Sequence, residues 1–477
     1  MVAVSERPLR SALIVGAVLA PLVLLCLAYF WPGYFTDELY LGGLILLEFL
    51  IAAVWMYRQV FLPLVLIGFL LAGLKLPVGS HWTQVRWVFL GVGAAVGCIL
   101  MLKDRRLHVS LFHAFALFAV IAALTSSAVS RYPGFALLKA LSLFLVFIYG
   151  ATGARLAVAG RENRFFGGLL TGTELFIGAI ATFHLIGVEV MGNPNSLGAV
   201  TGVVGAPLLL WGTFVAEKSL VRYRRLALFM ICLYLILYSH ARAGMAAAFV
   251  SCALLCLALR KYRLLAEGVS VILVLVATTA IFMPEAFSNT VSSVTVSVLY
   301  KSKDPALGLL ASREEPWQAA LDSIHEHFWF GTGFGTTDTG QDASEHLSLF
   351  ASNQDVTAEN GSSYLTILTW VGMFGLAPFL LTVLALLSKV VRTLVWTWGT
   401  GNAAHPAIPL AMVTIAGLVH ASFEDWLFAP GYYLCVFFWC VAFILVDVTP
   451  AVTLPQFAFS RQRRPIPRGM DGIPVSR

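Results

Sequence analysis

Long apolar stretches separated by short polar segments make up most of this chain. A helix needs about 20 mostly apolar residues to cross a membrane, and many of the stretches approach that length. They lie at residues 11–31, 38–56, 60–77, 84–102, 107–127, 135–154, 165–187, 196–215, 225–238, 243–259, 264–283, 363–387, 405–422 and 429–447. The pattern predicts an all-α, polytopic membrane helix bundle with about fourteen transmembrane helices.

One connection, residues 284–362, is much longer and more polar than the others. The apolar residues that recur in it at helical spacing are Trp317, Leu321, Ile324 and Phe328. They follow a capping-box pattern, S-x-x-E, at residues 312–315, and Gly331 and Gly333 are suited to end a helix. We therefore expect an amphipathic helix of about four turns here, lying against the membrane or the mouth of the bundle.

This connection divides the chain into four predicted parts. Residues 1–283 form an N-terminal membrane bundle of about eleven spans. Residues 284–362 form a loop that carries candidate catalytic residues, and residues 363–447 form a C-terminal bundle of three spans. Residues 448–477 form a disordered, basic cytoplasmic tail.

Composition narrows the class of protein. Hydrophobic residues make up 59% of the chain and charged residues only 12%, about half the charge of an ordinary soluble domain. Together with a mean hydropathy of +0.84, this excludes a disordered chain, a nucleic-acid binder and a conventional cytosolic enzyme. The seven cysteines lie in apolar runs, so neither a disulfide framework nor a zinc site is indicated.

The net charge of +6 mainly records orientation. With a cytoplasmic N-terminus, most of the 31 lysines and arginines fall in cytoplasmic segments, as the positive-inside rule requires. The exceptions are Lys75, Arg86, Arg131, Lys139, Arg242, Lys301, Lys303 and Arg313. This topology places both termini in the cytoplasm and the long connection, with its eleven acidic residues, on the other side.

Arginines outside the cytoplasm are the first candidates for chemistry. Arg131 and Arg242 lie in outer turns, and Arg313 opens the expected loop helix. A guanidinium group binds phosphate oxygens in a two-pronged geometry, so several of them together would suit a lipid pyrophosphate. The alternative is that these side chains extend to lipid headgroups.

Acid–base candidates lie in the long connection. They are His325, His327, His346, Asp355 and Glu359. Transfer of a sugar needs a group that takes the proton of the attacking hydroxyl, and Glu359 stands at the start of the next span; there it could instead be a helix-dipole partner. Within the spans, Glu48 and Glu174 are ionisable and therefore costly, which marks them as functional candidates.

Two motifs are rejected as cofactor sites. His325-Glu326-His327 is too tightly spaced for a zinc pair on one helix face. The sequence G-T-G-F-G at residues 331–335 lacks the strand context, glycine spacing and lysine of a nucleotide loop, so we interpret it as turns. No metal and no cofactor are expected.

Four motifs within residues 190–390 resemble those of the O-antigen ligase and O-antigen polymerase superfamily, bacterial membrane glycosyltransferases of the GT-C type. The G-N-P-N turn at 192–195 resembles the family's Asn-Pro-Asn turn, and S-H-A-R at 239–242 resembles its S-x-S-R element, with Ala241 at the second serine position. Arg313, Trp317 and the glycines at 331–335 resemble its G-R…W…G-x-G-x-G stretch. Glu359-Asn360, Tyr364-Leu365 and the V-G-M-F-G sequence at 371–375 resemble its H-N-x-x-L…G-x-x-G stretch.

The resemblance implies transfer of an undecaprenyl-pyrophosphate-linked oligosaccharide to a hydroxyl acceptor, without metal or nucleotide, on the periplasmic face of the bacterial inner membrane. The acceptor is a glycan or a lipid-linked molecule, membrane lipids surround the protein, and a chain-length regulator is a further expected partner. The implied catalytic residues are Glu359 and Asn360. The implied pyrophosphate-binding residues are Arg242, Arg313 and Arg131. The implied sugar-binding or supporting residues are Asn193, Asn195, His240, Trp317 and Tyr364.

Polymerase, ligase and two non-enzymatic functions remain open at this point. The family's ligases have a catalytic histidine where this chain has Glu359, which favours a polysaccharide polymerase over an O-antigen ligase acting on lipid A-core or another acceptor. A flippase or other transporter would show repeated halves and more ionisable residues within its spans. A membrane scaffold would not require Arg242, Arg313 and Glu359 together.

Overall fold

The computed structural model describes residues 58–74, 81–103, 108–191, 193–282, 311–336 and 361–451, with a few single residues between 29 and 55. The helices are α1 (Arg58–Ala72), α2 (His81–Lys103), α3 (Leu111–Ser127), α4 (Pro133–Val158), α5 (Glu162–Leu185), α6 (Pro194–Phe214), α7 (Ser219–Tyr238), α8 (Arg242–Ala258), α9 (Tyr262–Phe282), α10 (Ala311–Glu326), α11 (Ser363–Thr400), α12 (Ala407–Ala421) and α13 (Tyr433–Val448). The one extended contact in this part of the chain is an isolated bridge between Leu74 and Met191. The all-α prediction is therefore confirmed.

The helices agree with the apolar pattern from which spans were predicted. A helix stands at each predicted span from residue 60 onward. Within the described ranges, five helices are long and apolar enough to cross a membrane: α2, α4, α5, α6 and α11. The predicted spans at 11–31 and 38–56 lie largely outside the described residues, so the count of about fourteen and the four-part division stay predictions.

The core is built around the last two helices. Nearly every residue of α12 and α13 is buried, as expected of helices that are apolar on all sides. Trp439 of α13 is fully buried, and its indole N–H donates to the carbonyl oxygen of Leu427 at 2.7 Å. These helices thus form the centre against which the others pack.

Small residues bring α6 and α8 into close contact. A methyl group at Gly202 would come within 2.4 Å of the carbonyl oxygen of Gly244, and one at Gly244 would lie equally close to the carbonyl oxygen of Gly198. Small residues at helix interfaces permit such backbone approach in membrane proteins. The glycines of α6 and α8 therefore set the distance between these two helices.

Two ion pairs join helices of the bundle. Arg155 of α4 donates from Nε and Nη2 to the two carboxylate oxygens of Asp447, both at 2.6 Å, and its side chain has no solvent exposure. Glu174 of α5 pairs with Arg225 at 2.7 Å and with Arg224 at 2.5 Å. The sequence offered no basic partner for Glu174; the structure places two there, so this glutamate joins α5 to α7.

Helix α11 is interrupted near its start. Gly372 has φ 63° and ψ −170°, which breaks the helix between its first and second parts. Such a break frees backbone groups that must be paired when they are buried. The turn after α10, residues 327–336, supplies the partners. The backbone amides of Thr332 and Gly333 donate to the carbonyl oxygens of Thr369 and Trp370 at 2.9 and 3.1 Å.

The same turn also accepts hydrogen bonds from α11. The amides of Met373 and Phe374 donate to the carbonyls of Phe328 and Trp329 at 2.8 and 3.2 Å. A side chain at Gly372 would lie 2.5 Å from the Trp329 carbonyl group, so the two backbones could not approach in this way with a larger residue. The G-T-G-F-G sequence is confirmed as turns, and its function is to cover the break in α11.

Candidate functional site

Four turns meet at one end of the bundle, which we call the site end. They are the turn before α6 (residues 186–191 and 193), the turn between α7 and α8 (239–241), the turn before α11 (361–362) and the loop between α12 and α13 (422–432). Direct contacts, described below, join them to one another. The predicted topology puts this end outside the cytoplasm.

The turn before α6 forms as predicted. The side-chain oxygen of Asn193 accepts a hydrogen bond from the amide of Asn195 at 2.9 Å, and Pro194 occupies the first helical position. Both features are typical of a helix N-terminus. The Asn195 side-chain amide points across the site end and lies 3.5 Å from the carboxylate of Glu424.

The turn between α7 and α8 packs directly on the start of α6. Ser239 is buried and donates to the carbonyl of Ile236 at 2.8 Å, while its Oγ accepts from the amide of Ala241 at 3.3 Å. A methyl group added at Gly198 would come within 2.1 Å of the Cβ of Ala241. Arg242, the first residue of α8, is therefore held beside the N-terminal turn of α6.

His240 has an unusual backbone conformation. Its φ is +50°, a left-handed value, and its side chain is exposed at the site end. Non-glycine residues adopt this region in only a few per cent of cases. The conformation turns the chain sharply between α7 and α8 and leaves the imidazole accessible to a ligand.

The start of α11 is fixed to the loop between α12 and α13. Both the amide and the hydroxyl of Ser363 donate to the carbonyl oxygen of Glu424, at 3.1 and 2.6 Å, and the Leu427 amide donates to the Ser363 hydroxyl oxygen at 3.1 Å. Tyr364 donates to the carbonyl of Leu418 at 3.0 Å. Glu424 thus contacts the start of α6 with its side chain and the start of α11 with its backbone.

A tyrosine pair completes this contact. The hydroxyl of Tyr432 lies 3.3 Å from Ser196 Oγ and 3.1 Å from the hydroxyl of Tyr433, which in turn donates to the Ser196 carbonyl at 3.4 Å. The two phenols thus join the start of α13 to the start of α6.

Helix α10 covers the first part of α11, which it contacts. It has 16 residues, which confirms a helix of about four turns. It begins at Ala311, so the capping box predicted at residues 312–315 lies inside the helix. Ala320 and Ile324 are buried in the protein, whereas Leu321 and Phe328 are 42% and 43% exposed.

Two predicted residues lie on α10. Arg313 is in its first turn, and Trp317 is half-buried. The indole N–H of Trp317 is buried and has no hydrogen-bond partner among the described residues, and the same holds for the hydroxyl of Thr366 on α11. Buried polar groups are normally paired, so these two groups call for a partner beyond the described residues, such as another part of the chain, water or a bound molecule.

The predicted catalytic residues Glu359 and Asn360 lie outside the described residues. They precede Gly361, the first described residue of the turn before α11. Of the acid–base candidates, His325 and His327 lie at the end of α10, whereas His346 and Asp355 are also outside the described ranges. In the part of the chain that the structure describes, no cluster of histidine, cysteine or acidic residues could hold a metal ion.

The part of the chain that carries three of the four motifs described above matches a known family. Residues 227–380 fit the family model described as O-antigen ligase. This segment is similar to the O-antigen ligase family, and for that similarity we use the name O-antigen ligase domain for residues 227–380. It covers about a third of the chain, from within α7 to within α11, and it confirms the resemblance to the O-antigen ligase and polymerase superfamily. No curated protein matches the chain.

The O-antigen ligase domain includes Arg242, Arg313 and the start of α11, but not the whole site end. Asn193 and Asn195 precede the domain, and Glu424 follows it. The tertiary structure brings these two outer parts together through the contact between Asn195 and Glu424. Glu424 was not among the residues predicted to carry chemistry. The feature of the sequence that could have identified it is an acidic pair, Glu424-Asp425, between the last two predicted spans.

Arg86 is a further residue of the site end, and it was not among the residues predicted to carry chemistry. Its side chain is 6% exposed, its Nη1 donates to the carbonyl of Gly431 at 2.9 Å, and its guanidinium lies over the Phe69 ring. It therefore supports the loop next to Tyr432. The feature of the sequence that could have identified Arg86 is that it is one of the few basic residues outside the predicted cytoplasmic segments.

Arg131 lies in a turn that is not one of the four turns of the site end. It is exposed in the turn between α3 and α4, and its guanidinium is 5.7 Å from the centre of the Tyr132 ring. The neighbouring Ser130 contacts Thr336 at 2.9 Å, so this turn packs against residues 327–336 of the O-antigen ligase domain. Arg131 therefore lies beside the residues that cover the break in α11, whereas Arg242 lies beside the start of α6.

Proposed function

We propose that this protein is a polymerase of a bacterial surface polysaccharide, acting as a metal-independent GT-C type glycosyltransferase on the periplasmic face of the inner membrane. The O-antigen ligase domain and the apolar helices support the general assignment to a membrane protein of surface polysaccharide assembly. The observation that carries the proposal is the contact of Glu424 with both Asn195 and Ser363. It brings two motif-bearing elements, the turn before α6 and the start of α11, to one site.

The proposed reaction forms one glycosidic bond and breaks one bond to pyrophosphate. An acceptor hydroxyl attacks the first sugar carbon of the undecaprenyl-pyrophosphate-linked donor, and Glu359 takes the hydroxyl proton. The lipid pyrophosphate leaves with its negative charge, which Arg242 and Arg313 stabilise. Asn360 and the donors of the site end, among them Asn195, would orient the sugars.

Glu359 favours the polymerase among the functions of the family. The family's ligases place a histidine at this position, and a glutamate can take the same proton. A ligase remains the second candidate because the match covers the domain that both activities share. An acceptor assay separates them: a polymerase extends a lipid-linked repeat unit, whereas a ligase transfers the glycan to a lipid A-core acceptor.

Reconstitution with a lipid-pyrophosphate-linked repeat unit tests the assignment. We expect Glu359→Gln, Arg242→Ala and Arg313→Ala each to lower product formation at least a hundredfold, which is the size of effect typical of a lost acid–base or charge-stabilising group. Glu189→Gln, a carboxylate exposed in the turn before α6, and Arg392→Ala, exposed on α11, serve as controls. A chelator should leave the rate unchanged.

Two results would overturn the proposal. Full product formation by both Glu359→Gln and Arg313→Ala would remove the assigned residues from the reaction. Movement of the lipid-linked sugar across liposomes without any product would show a transporter instead of a transferase. The proposed chain-length regulator is tested in the same assay, by measuring whether its addition narrows the distribution of product lengths.

A further inference from the structure

An apolar groove of about 450 Å³ lies between α1, α5, α6 and α13. Leu66 and Ile67 of α1 form one wall, Gly168 and Gly172 of α5 form the other, and Val204 of α6 and Phe437 of α13 line it between them. Ile67 is 50% exposed and both glycines are exposed. Within the described residues, the groove is therefore accessible from the side of the bundle.

The two glycines determine the shape of the groove. They are four residues apart, so they occupy the same face of α5. A methyl group added at either position would meet no atom within 4 Å. Glycine costs helix stability relative to alanine, and helix packing does not require it here. A smooth, open channel along α5 suits a long apolar chain.

One end of the groove is basic. Arg161 and Arg164, at the start of α5, both line it and both are exposed. Glu162 lies between them in sequence, and its carboxylate accepts a hydrogen bond from the amide of Gly160 at 2.9 Å. Two guanidinium groups beside an apolar channel complement a phosphate group attached to acyl chains.

The basic end is remote from the site end. Arg161 precedes α5, whereas the C-terminal end of α5 leads into the turn before α6 at the site end. Tyr433, which also lines the groove, donates to the Ser196 carbonyl at the site end. A ligand phosphate at Arg161 and Arg164 would therefore be distinct from the pyrophosphate assigned to Arg242 and Arg313.

We propose that this groove binds an anionic phospholipid, with its phosphate at Arg161 and Arg164 and an acyl chain along Gly168 and Gly172. The positive-inside orientation places that phosphate in the cytoplasmic leaflet. Basic pockets between transmembrane helices on this side recognise anionic headgroups. The proposed lipid site is distinct from the proposed glycan transfer, because neither the two arginines nor the two glycines assigned to it belong to the candidate machinery.

The test uses the full purified chain and photoactivatable lipids. Phosphatidylglycerol carrying a diazirine on its acyl chain is expected to crosslink to α1 and α5 about tenfold more than phosphatidylcholine with the same label. Gly172→Leu fills the groove and should reduce this crosslinking at least fivefold. Gly167→Leu is the matched control, since Gly167 is also an exposed glycine of α5 with open space around it but does not line the groove.

A second variant isolates the headgroup. The double substitution Arg161→Gln and Arg164→Gln should abolish the preference for phosphatidylglycerol while leaving crosslinking of the acyl chain detectable. Equal crosslinking by Gly172→Leu and Gly167→Leu would overturn the groove assignment. Competition by undecaprenyl phosphate, combined with no effect of the arginine substitutions, would overturn the phospholipid and indicate a polyprenyl chain entering from the site end.

Discussion

The hydroxyl of Ser126, at the end of α3, donates a 2.5 Å hydrogen bond to the carbonyl oxygen of Trp370, where α11 is broken. Ser126 Oγ also lies 3.1 Å from the carbonyl oxygen of Phe330 in the turn after α10. One side chain thus contacts both backbones that meet at the break. This contact fixes α3, α10 and α11 relative to one another beside the candidate site.

Ser126→Ala is expected to destabilise the protein by about 1–2 kcal/mol, because a buried carbonyl group loses a hydrogen-bond donor. Ser127→Ala is the matched control. Ser127 is equally buried, but among the described residues its hydroxyl donates to the carbonyl of Ala123 in its own helix, at 2.8 Å, and not across the break. Thermal unfolding in detergent, followed by tryptophan fluorescence, measures the difference. Equal midpoints for the two variants would show that the contact at the break adds no stability.

Gly372→Ala is expected to disrupt this region more strongly. Gly372 has φ 63° and ψ −170°, a backbone conformation that is essentially restricted to glycine and costs another residue about 1–3 kcal/mol. Its new methyl group would also lie 2.5 Å from the Trp329 carbonyl group. We expect lower expression of monodisperse protein and loss of transfer activity.

The control for Gly372 is another glycine of α11. Gly399 has an ordinary helical φ and open space around it, so Gly399→Ala should be neutral or stabilise by up to about 1 kcal/mol. Size-exclusion chromatography and thermal unfolding compare the two. If Gly372→Ala behaved like Gly399→Ala, the break in α11 would not depend on glycine.

The ion pair of Glu174 provides a third prediction. Side chains of Glu174 and Arg225 are 7% and 14% exposed, and Arg225 also donates to the carbonyl of Gly212 at 2.8 Å. Arg225→Gln is expected to cost about 3 kcal/mol, since it leaves a buried carboxylate with one partner fewer. Arg224→Gln should cost about 0–1 kcal/mol because Arg224 is 57% exposed.

The double variant Glu174→Gln and Arg225→Gln gives the decisive comparison. Removing both charges avoids an unpaired buried charge, so it should be more stable than Arg225→Gln alone. A structural role for the pair also predicts that the double variant keeps glycan transfer activity. Loss of activity without loss of stability would instead place Glu174 in the reaction.

Apolar periodicity alone predicted the helices because a membrane-spanning helix must satisfy its backbone within itself. For that reason the helices from α1 to α13 could be placed from local sequence. Motif order and charge asymmetry also indicated the family, which the O-antigen ligase domain confirms. The predicted topology puts Arg242, Arg313 and the start of α11 on one side of the membrane, and this stays a prediction.

Contacts between distant segments could not be derived in this way. Glu424 follows Asn195 by more than two hundred residues, and a two-residue acidic motif carries no information about which turn it will contact. The partners of Glu174 were hidden for a similar reason: Arg224 and Arg225 looked like ordinary cytoplasmic charges of the positive-inside pattern. Only the packing of α5 against α7 paired them.

The sequence by itself determined the helical class, because this depends on local hydrophobicity, and its motifs indicated the resemblance to the O-antigen ligase family. The tertiary structure decided which residues share the site end, which charges are neutralised and where α11 breaks. These depend on backbone groups and side chains brought together from remote parts of the chain. The close approach of Gly372 to Trp329 is one example, since it requires both a glycine in α11 and a turn after α10.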